Sequence, residues 1–386
     1  MLGLEWPLGL ALAGSSAYWL LCVDAARRWR QEPRPEPDPL LPVTVLKPLR
    51  GIDPEQYANL ESFCRQEHAC HQLVLGAFDP ADPALVAARR LREAYPAVDI
   101  AVVAGGEALG ANRKVSNLAG MLSAARHDTL VLSDSDMRVR PDYLARVAAP
   151  FRDPRVGLVT CLYRGARVRG LGSVLEAGGI AADFAPSVLL ARRLEGMRFA
   201  FGSSIAIRRR VLDEIGGFEA LVDELADDYL LGWRTHAAGH RVVLSDYVVD
   251  DVLGSVPLCA MWRRRLRWAR TMRAVRPAGV AGSVVTHTAV LGLLLVAASG
   301  FAPAAWAAAA ASFTLRAAAA TWIGARCLGD GGAVRRLPLL PVSDLLAFAL
   351  WTGGMVGSRI EWRGEAMRLG RGGRLLPVEG RPRRAR

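Results

Sequence analysis

The chain has 386 residues, 52% hydrophobic and 22% charged, with 49 Lys plus Arg against 37 Asp plus Glu and a formal net charge of +12. That composition excludes a disordered or low-complexity protein. A mean hydropathy of +0.19 beside so much charge requires that apolar and charged residues be segregated along the chain; six scattered Cys form neither a disulfide framework nor a paired zinc spacing.

Trp6 to Val23 is an 18-residue stretch without a charge, followed by Arg27, Arg28 and Arg30. A positive cluster after the apolar run predicts a transmembrane anchor rather than a cleaved signal, with Arg27 onward in the cytoplasm. A Pro-rich linker (Pro33, Pro35, Pro37, Pro39, Pro42) leads into a soluble-looking segment. There the short apolar runs 42–47, 73–78, 99–104 and 129–133 suit buried parallel strands, and 54–66, 83–94 and 112–125 have helical spacing. Their alternation predicts an open α/β sheet whose functional residues lie beyond the C-terminal ends of the strands. His68, Cys70 and His71 read as a solvated helix end and strand start, and His236 and His240 as surface residues.

The strand ending at Ser133 runs directly into Asp134-Ser135-Asp136, two carboxylates at a strand tip. Hard cations such as Mg2+ or Mn2+ take carboxylate oxygens and bridge to phosphate, so the pattern is either a metal-diphosphate device or a polar loop. Asp223, Glu224, Asp227 and Asp228 put four carboxylates in six positions. Such crowding raises the pKa of one member and makes a setting for a general base. The run Trp262–Arg276 carries seven Arg and the pair Trp262 and Trp268. It reads as a positive-inside signal at the membrane surface in which one Arg face can grip a pyrophosphate. No helix-turn-helix, finger or RNA-binding aromatic pattern accompanies it, so nucleic acid is not the expected partner. Two apolar regions follow, 277–315 without a charge and 337–358 with Asp344 alone, and then an Arg-rich tail ending Arg381, Arg383, Arg384 and Arg386. An inside tail and an outside N-terminus are incompatible with four full spans, so one C-terminal segment is expected to be re-entrant or interfacial. The resulting division is an anchor at 1–30, a cytoplasmic domain at 31–255, an interfacial helix at 256–280, a membrane region at 281–360 and a basic tail at 361–386.

Asp82, Asp134, Asp228 and Arg264-Arg265-Leu266-Arg267-Trp268 resemble, in order and spacing, the D, D, D, (Q/R)xxRW signature of membrane-bound family 2 and family 21 glycosyltransferases, with Arg rather than Gln at its fourth element. Val45-Leu46-Lys47-Pro48-Leu49-Arg50-Gly51 resembles the opening of ceramide glucosyltransferases. The 110–118, 159–165 and 225–229 segments most resemble the bacterial hopanoid biosynthesis-associated group. The resemblance implies a GT-A domain flanked by N-terminal and C-terminal transmembrane helices. It implies Asp79 or Asp82 with Lys47 around the uridine of a UDP-sugar, Lys114 among the donor-binding residues, and Asp134 and Asp136 on the metal and diphosphate. Both acidic positions are present here, whereas the animal ceramide enzymes replace the second. Asp228 is implied as the general base, with Asp227 the alternative. Gly202 and Ser203 would lie under the donor sugar, and Arg264, Arg267 and Trp268 would close over the diphosphate. The implied activity is inverting, metal-dependent transfer of N-acetylglucosamine from UDP-GlcNAc to a hopanoid polyol, bacteriohopanetetrol, at the cytoplasmic face of the bacterial inner membrane. Its rival is UDP-glucose with ceramide or another lipid.

Overall fold

The computed structural model describes residues 3–362 and 365–377, so the Arg-rich end of the chain lies outside the described residues. The first apolar run forms α1 (Glu5–Gln31), with Glu5 in its first turn and Arg28 and Arg30 in its last, the charge order that a helix dipole favours. An extended linker then enters β1 (Val43–Leu49), buried along its whole length as expected of a central parallel strand. In chain order follow α2 (Gln56–Glu61), β2 (His71–Ala77), α3 (Ala84–Ala94), β3 (Asp99–Ala104), α4 (Arg113–Met121) and β4 (Thr129–Leu132). These are the expected strands and helices, with 122–124 a short 3-10 turn rather than the end of α4.

The second half follows, of which the sequence suggested only the helix starting at Asp227 and a glycine turn into a strand after Gly202. It comprises β5 (Met137–Arg138), α5 (Tyr143–Ala148), β6 (Val156–Ala166), α6 (Gly170–Gly179), a π-helical turn (Ile180–Phe184), α7 (Ala185–Glu195), β7 (Ile205–Arg208), α8 (Arg209–Glu214), α9 (Asp227–Ala237) and β8 (Arg241–Val252). The eight strands form one mixed sheet in the order β3-β2-β1-β4-β7-β6-β8-β5. The first four are parallel, and β7 and β5 run antiparallel to their neighbours. Four residues join β4, fourth in the order, to β5, eighth, so the sheet curls and Asp134-Ser135-Asp136 spans the mouth of the curl. Alternate residues of β1 enter opposite layers, Val43 and Val45 one, Leu46 the other. This mixed, curled α/β sheet has the architecture that the resemblance implied.

Beyond the sheet lie α10 (Leu258–Val275), α11 (Pro277–Gly282), α12 (Thr288–Ala298), α13 (Pro303–Arg326) and α14 (Leu340–Met355). Among the described residues three helical stretches are long and apolar enough to cross a membrane, namely 5–31, 170–195 and 337–355, and 277–286 with 288–298 makes a fourth only as a pair bent by 63°. The second was expected as part of the soluble domain; it is mostly buried between the sheet and α1. Both ends of α14 are tied down. Arg164 of β6 donates to the carbonyls of Leu328 (3.0 Å) and Gly329 (2.6 Å) in the turn before it, and Arg273 of α10 donates to those of its last residue, Met355, and of Gly357 beyond it. Residues expected as the end of the membrane region (281–360) and the start of a basic tail (361–386) form instead an antiparallel sheet of β9 (Arg359–Trp362), β10 (Glu365–Leu369) and β11 (Leu375–Pro377). Its Leu369 and Leu375 pack on Leu225, two residues before α9.

Candidate active site

The site gathers at the C-terminal ends of β1 and β4, where a buried parallel sheet opens to a crevice. At the start of α4, Asn112 caps the helix by accepting from the Val115 amide at 3.1 Å and holds the 224 carbonyl through its own Nδ2 at 2.7 Å. That ties α4 to the loop before α9 and aims Lys114 across the crevice. Its Nζ lies 2.8 Å from Asp134 Oδ1 and 3.6 Å from Asp227 Oδ2. Burial alone would lower the Lys114 pKa, but Asp134, Asp227 and Asp228 together hold the ammonium well above its usual range.

Gly202, in the loop before β7, is where three elements meet. A Cβ there would stand 3.3 Å from Asp134 Oδ2, 3.3 Å from Lys114 Nζ and 3.4 Å from Asp228 Oδ2. Its amide donates to Asp228 Oδ2 at 2.8 Å, and the Tyr229 amide donates to Asp228 Oδ1 at 2.8 Å. Each carboxylate oxygen thus retains a lone pair for a further partner. Burial and the neighbouring Asp227 push the Asp228 carboxyl up to about 6 despite those bonds. Asp227 faces Lys114 instead, so the two adjacent acids divide between a cation and the glycine loop. Ser203 is buried beside them, its hydroxyl without a hydrogen-bond partner.

Asp136 is the other open acid. Its Oδ1 is buried with no partner, and burial, Asp134 and Asp53 push its carboxyl up to about 6. Ser135 between the two acids donates to Asp53. An orphaned carboxylate oxygen beside a second carboxylate at a strand tip is a donor set that fits a hard divalent cation.

Lys47, expected around a uridine, is fully buried beneath this turn. Its Nζ donates to the Asp134 carbonyl at 2.8 Å and lies over the Phe63 ring at 3.8 Å, so it supports the carboxylate turn from below. Asp82 accepts from the Gly51 amide at 2.9 Å and from the Ala84 amide at 2.9 Å, bracing the end of β1 against α3. Asp79 is exposed and accepts from Ala81.

From the other side, Arg264 of α10 pairs with Glu176 of α6 at 3.2 Å, its guanidinium 5.7 Å from the Trp268 ring. Arg267, also half-buried on α10, and the more exposed Trp268 follow one turn on. Asp251, at the C-terminal end of β8, is buried with Oδ1 unpartnered. Burial and Asp136 hold its carboxyl well above the usual range against the pull of Arg264. Glu176 and Asp251 were missed from the sequence. A lone Glu in an apolar helix and a second strand-tip Asp are their signals, readable only once α6 and β8 are known. His68 and His71, expected in solvent, are buried or partly so, and burial lowers both pKa values. Among the described residues no group of three His, Cys, Asp or Glu is arranged to hold a metal by itself, so a cation here would need ligand oxygens from a substrate.

A profile for glycosyl transferase family 21 matches residues 8–375. Ceramide glucosyltransferase 1 of Caenorhabditis elegans is 28% identical over 251 residues, 64% of this chain and 54% of that protein. The ceramide glucosyltransferase of Komagataella phaffii is 33% identical over 116 residues, 29% of this chain and 23% of the other. The chain spans about half the length of the curated relatives it matches over those longer stretches. Among solved structures, the mannosyltransferase PcManGT from Pyrobaculum calidifontis, in complex with GDP-Man and Mn2+, superposes with a TM-score of 0.55 at 23% identity. That superposition covers 91% of this chain and 99% of the other.

Proposed function

The chain belongs to glycosyl transferase family 21, and from that premise we propose that it is a membrane enzyme transferring a sugar from a UDP-sugar to the hydroxyl of a lipid. The observation that carries this reading is the convergence of Asp134, Lys114 and Asp228 on the open face of Gly202. A metal-side acid, a cation and a candidate base stand around one residue that presents no side chain to a bound sugar.

In this reading Asp228 takes the proton from the acceptor hydroxyl. Two main-chain amides fix its carboxylate, and its raised pKa makes it a stronger base than a free Asp. The acceptor oxygen bonds to the anomeric carbon from the side opposite the departing diphosphate, and the glycosidic oxygen leaves with the electron pair. One displacement inverts the configuration. Lys114 and Arg264 are the chain's own cations for the charge gathering on the leaving group. Asp134 and Asp136 would hold Mg2+ or Mn2+, which when bound neutralises diphosphate oxygens. Arg267, Trp268 and Ser203 complete the donor side, Lys47 sets the height of the carboxylate turn, and Asp82 with Asp79 borders the nucleoside end.

The acceptor reading is a hopanoid polyol receiving N-acetylglucosamine at the cytoplasmic face of the bacterial inner membrane. It is supported by the 110–118, 159–165 and 225–229 segments and by the presence of Asp136. Ceramide with UDP-glucose is the second reading, favoured by the names of the matching relatives. Product mass spectrometry of the solubilised full chain decides between them, with UDP-GlcNAc and UDP-glucose offered alongside bacteriohopanetetrol and ceramide. A hexosamine adduct on the hopanoid is expected; a hexose on ceramide selects the second reading, and no adduct on either lipid rejects both.

A further inference from the structure

At the C-terminal ends of α1 and α13 a cavity of about 430 Å³ is lined by Arg27, Arg30, Gln31 and Trp322. It lies on the side of the catalytic domain. Glu32, just past α1, pairs with Arg192 of α7 at 2.7 Å, and the turn after α13 is held by Arg164 of β6. None of the carboxylates of the candidate active site lines it.

Arg27 and Arg30 stand three residues apart on one face of α1, and both guanidinium groups address the same ring, 5.7 and 6.0 Å from the centroid of Trp322. Two like charges so placed repel unless an anion lies between them. Among the described residues neither has a carboxylate within ion-pair distance, whereas their neighbour Arg28 is paired with Asp24 at 2.8 Å. Arg326, one turn beyond Trp322 on α13, is likewise exposed without such a partner. The apolar surface farther along α1 is as informative. Leu20 lies seven residues before Arg27, hence on the same face about two turns away, and is 58% exposed. Two guanidinium groups with an exposed leucine two turns back along the same helix match an amphiphile with an anionic head.

The geometry points to a binding site for the headgroup of an anionic glycerophospholipid, its phosphate gripped by Arg27 and Arg30 and an acyl chain laid along Leu20. Arg suits this task because its planar fork takes two phosphate oxygens at once. The assignment stands whether or not the sugar-transfer reading holds, because the two sites share no residue.

Native mass spectrometry of the full chain in detergent, offered phosphatidylglycerol or phosphatidylcholine, tests it. Phosphatidylglycerol is expected to be retained at least about tenfold better. That preference disappears in Arg27→Gln/Arg30→Gln and persists in Arg28→Gln, which removes the adjacent, paired charge. Equal retention of the two lipids, or equal loss in Arg28→Gln, overturns the site. Inorganic phosphate in excess should leave the bound lipid in place, and displacement by phosphate alone would reassign the cavity to a free anion. A cooperative thermal transition on the same samples reports whether the double variant is folded. If it is not, Arg27→Lys/Arg30→Lys decides, since retained preference supports the site and lost preference in a protein that still melts cooperatively overturns it.

Discussion

Two groups of buried charge in this molecule are built on opposite plans. Among the apolar helices, Arg316 of α13 is 1% exposed and bonds Asp344 of α14 and Asp183 of the π turn, with Trp19 of α1 stacked at 4.5 Å. There two acids share one base, whose Nη1 alone is left without a partner among the described residues. At the crevice, Asp53, Asp134, Asp136, Asp227, Asp228, Asp251 and Glu176 outnumber Lys47, Lys114, Arg264 and Arg267, and among the described residues buried oxygens of Asp136, Glu176 and Asp251 lack partners. A buried charge left uncompensated costs several kcal/mol, so the surplus at the crevice is stable only where something cationic or hydrogen-bonding arrives. The closed triad fastens helices together, and the open cluster waits for a ligand.

The sharpest way to break that contrast is to remove charge from each. Asp228→Asn should lower transfer by about a thousandfold or more while UDP binding persists; loss of UDP binding in calorimetry would move Asp228 from base to donor ligand. Arg316→Met leaves the buried carboxylate of Asp344 without its cation, while Asp183 keeps Arg265, and should destabilise by about 3–5 kcal/mol, seen as a lowered thermal midpoint in detergent. Asp136→Asn should do the reverse without metal, raising stability by about 1 kcal/mol as an uncompensated charge disappears. The same variant should bind Mn2+ in the presence of UDP at least about tenfold more weakly; unchanged Mn2+ affinity would remove Asp136 from the ligand set.

The pH profile sharpens the same point. A carboxyl with a folded pKa near 6 and an ordinary unfolded value near 3.8 binds its proton more readily in the folded state. Asp228 therefore weakens the fold fully above about pH 6, and that penalty is relieved as pH falls toward 4. Activity should move oppositely, falling below about pH 6 as the base is protonated. A rate profile flat from pH 7 to 5 would count against Asp228. The smallest effect is expected of Gly202→Ala. Its methyl would press on three groups at 3.3–3.4 Å and should raise the donor KM by about tenfold with little loss of stability.

Why one half of this site was legible and the other was not follows from the two kinds of strand. β1 to β4 are parallel and separated by helices, so each reads as a short apolar run with a helical interval after it, and the Asp134 tip stands at a strand end. β6 to β8 are arranged out of chain order, and β6 and β8 carry bulged registers, so no local pattern brings Asp251 beside Asp136. Lys47 shows a different limit. Its residue type points to phosphate or a nucleotide, but its place on β1 directs it into the layer that holds Phe63, a fact of register rather than of composition. The sheet formed by β9, β10 and β11 was hidden because its strands are only four, five and three residues long, too short to show an alternating pattern.

The π turn at 180–184 has its own consequence. In a regular helix Glu176 and Asp183, seven apart, would share a face and compete for one partner. The extra residue in the wide turn shifts the phase, so Glu176 meets Arg264 and Asp183 meets Arg265 and Arg316. Since consecutive residues on α10 are themselves about 100° apart, the turn acts as a vernier between two helices. Deleting one residue within it would leave every side chain chemically intact and yet uncouple the membrane-side helices from the arginine motif.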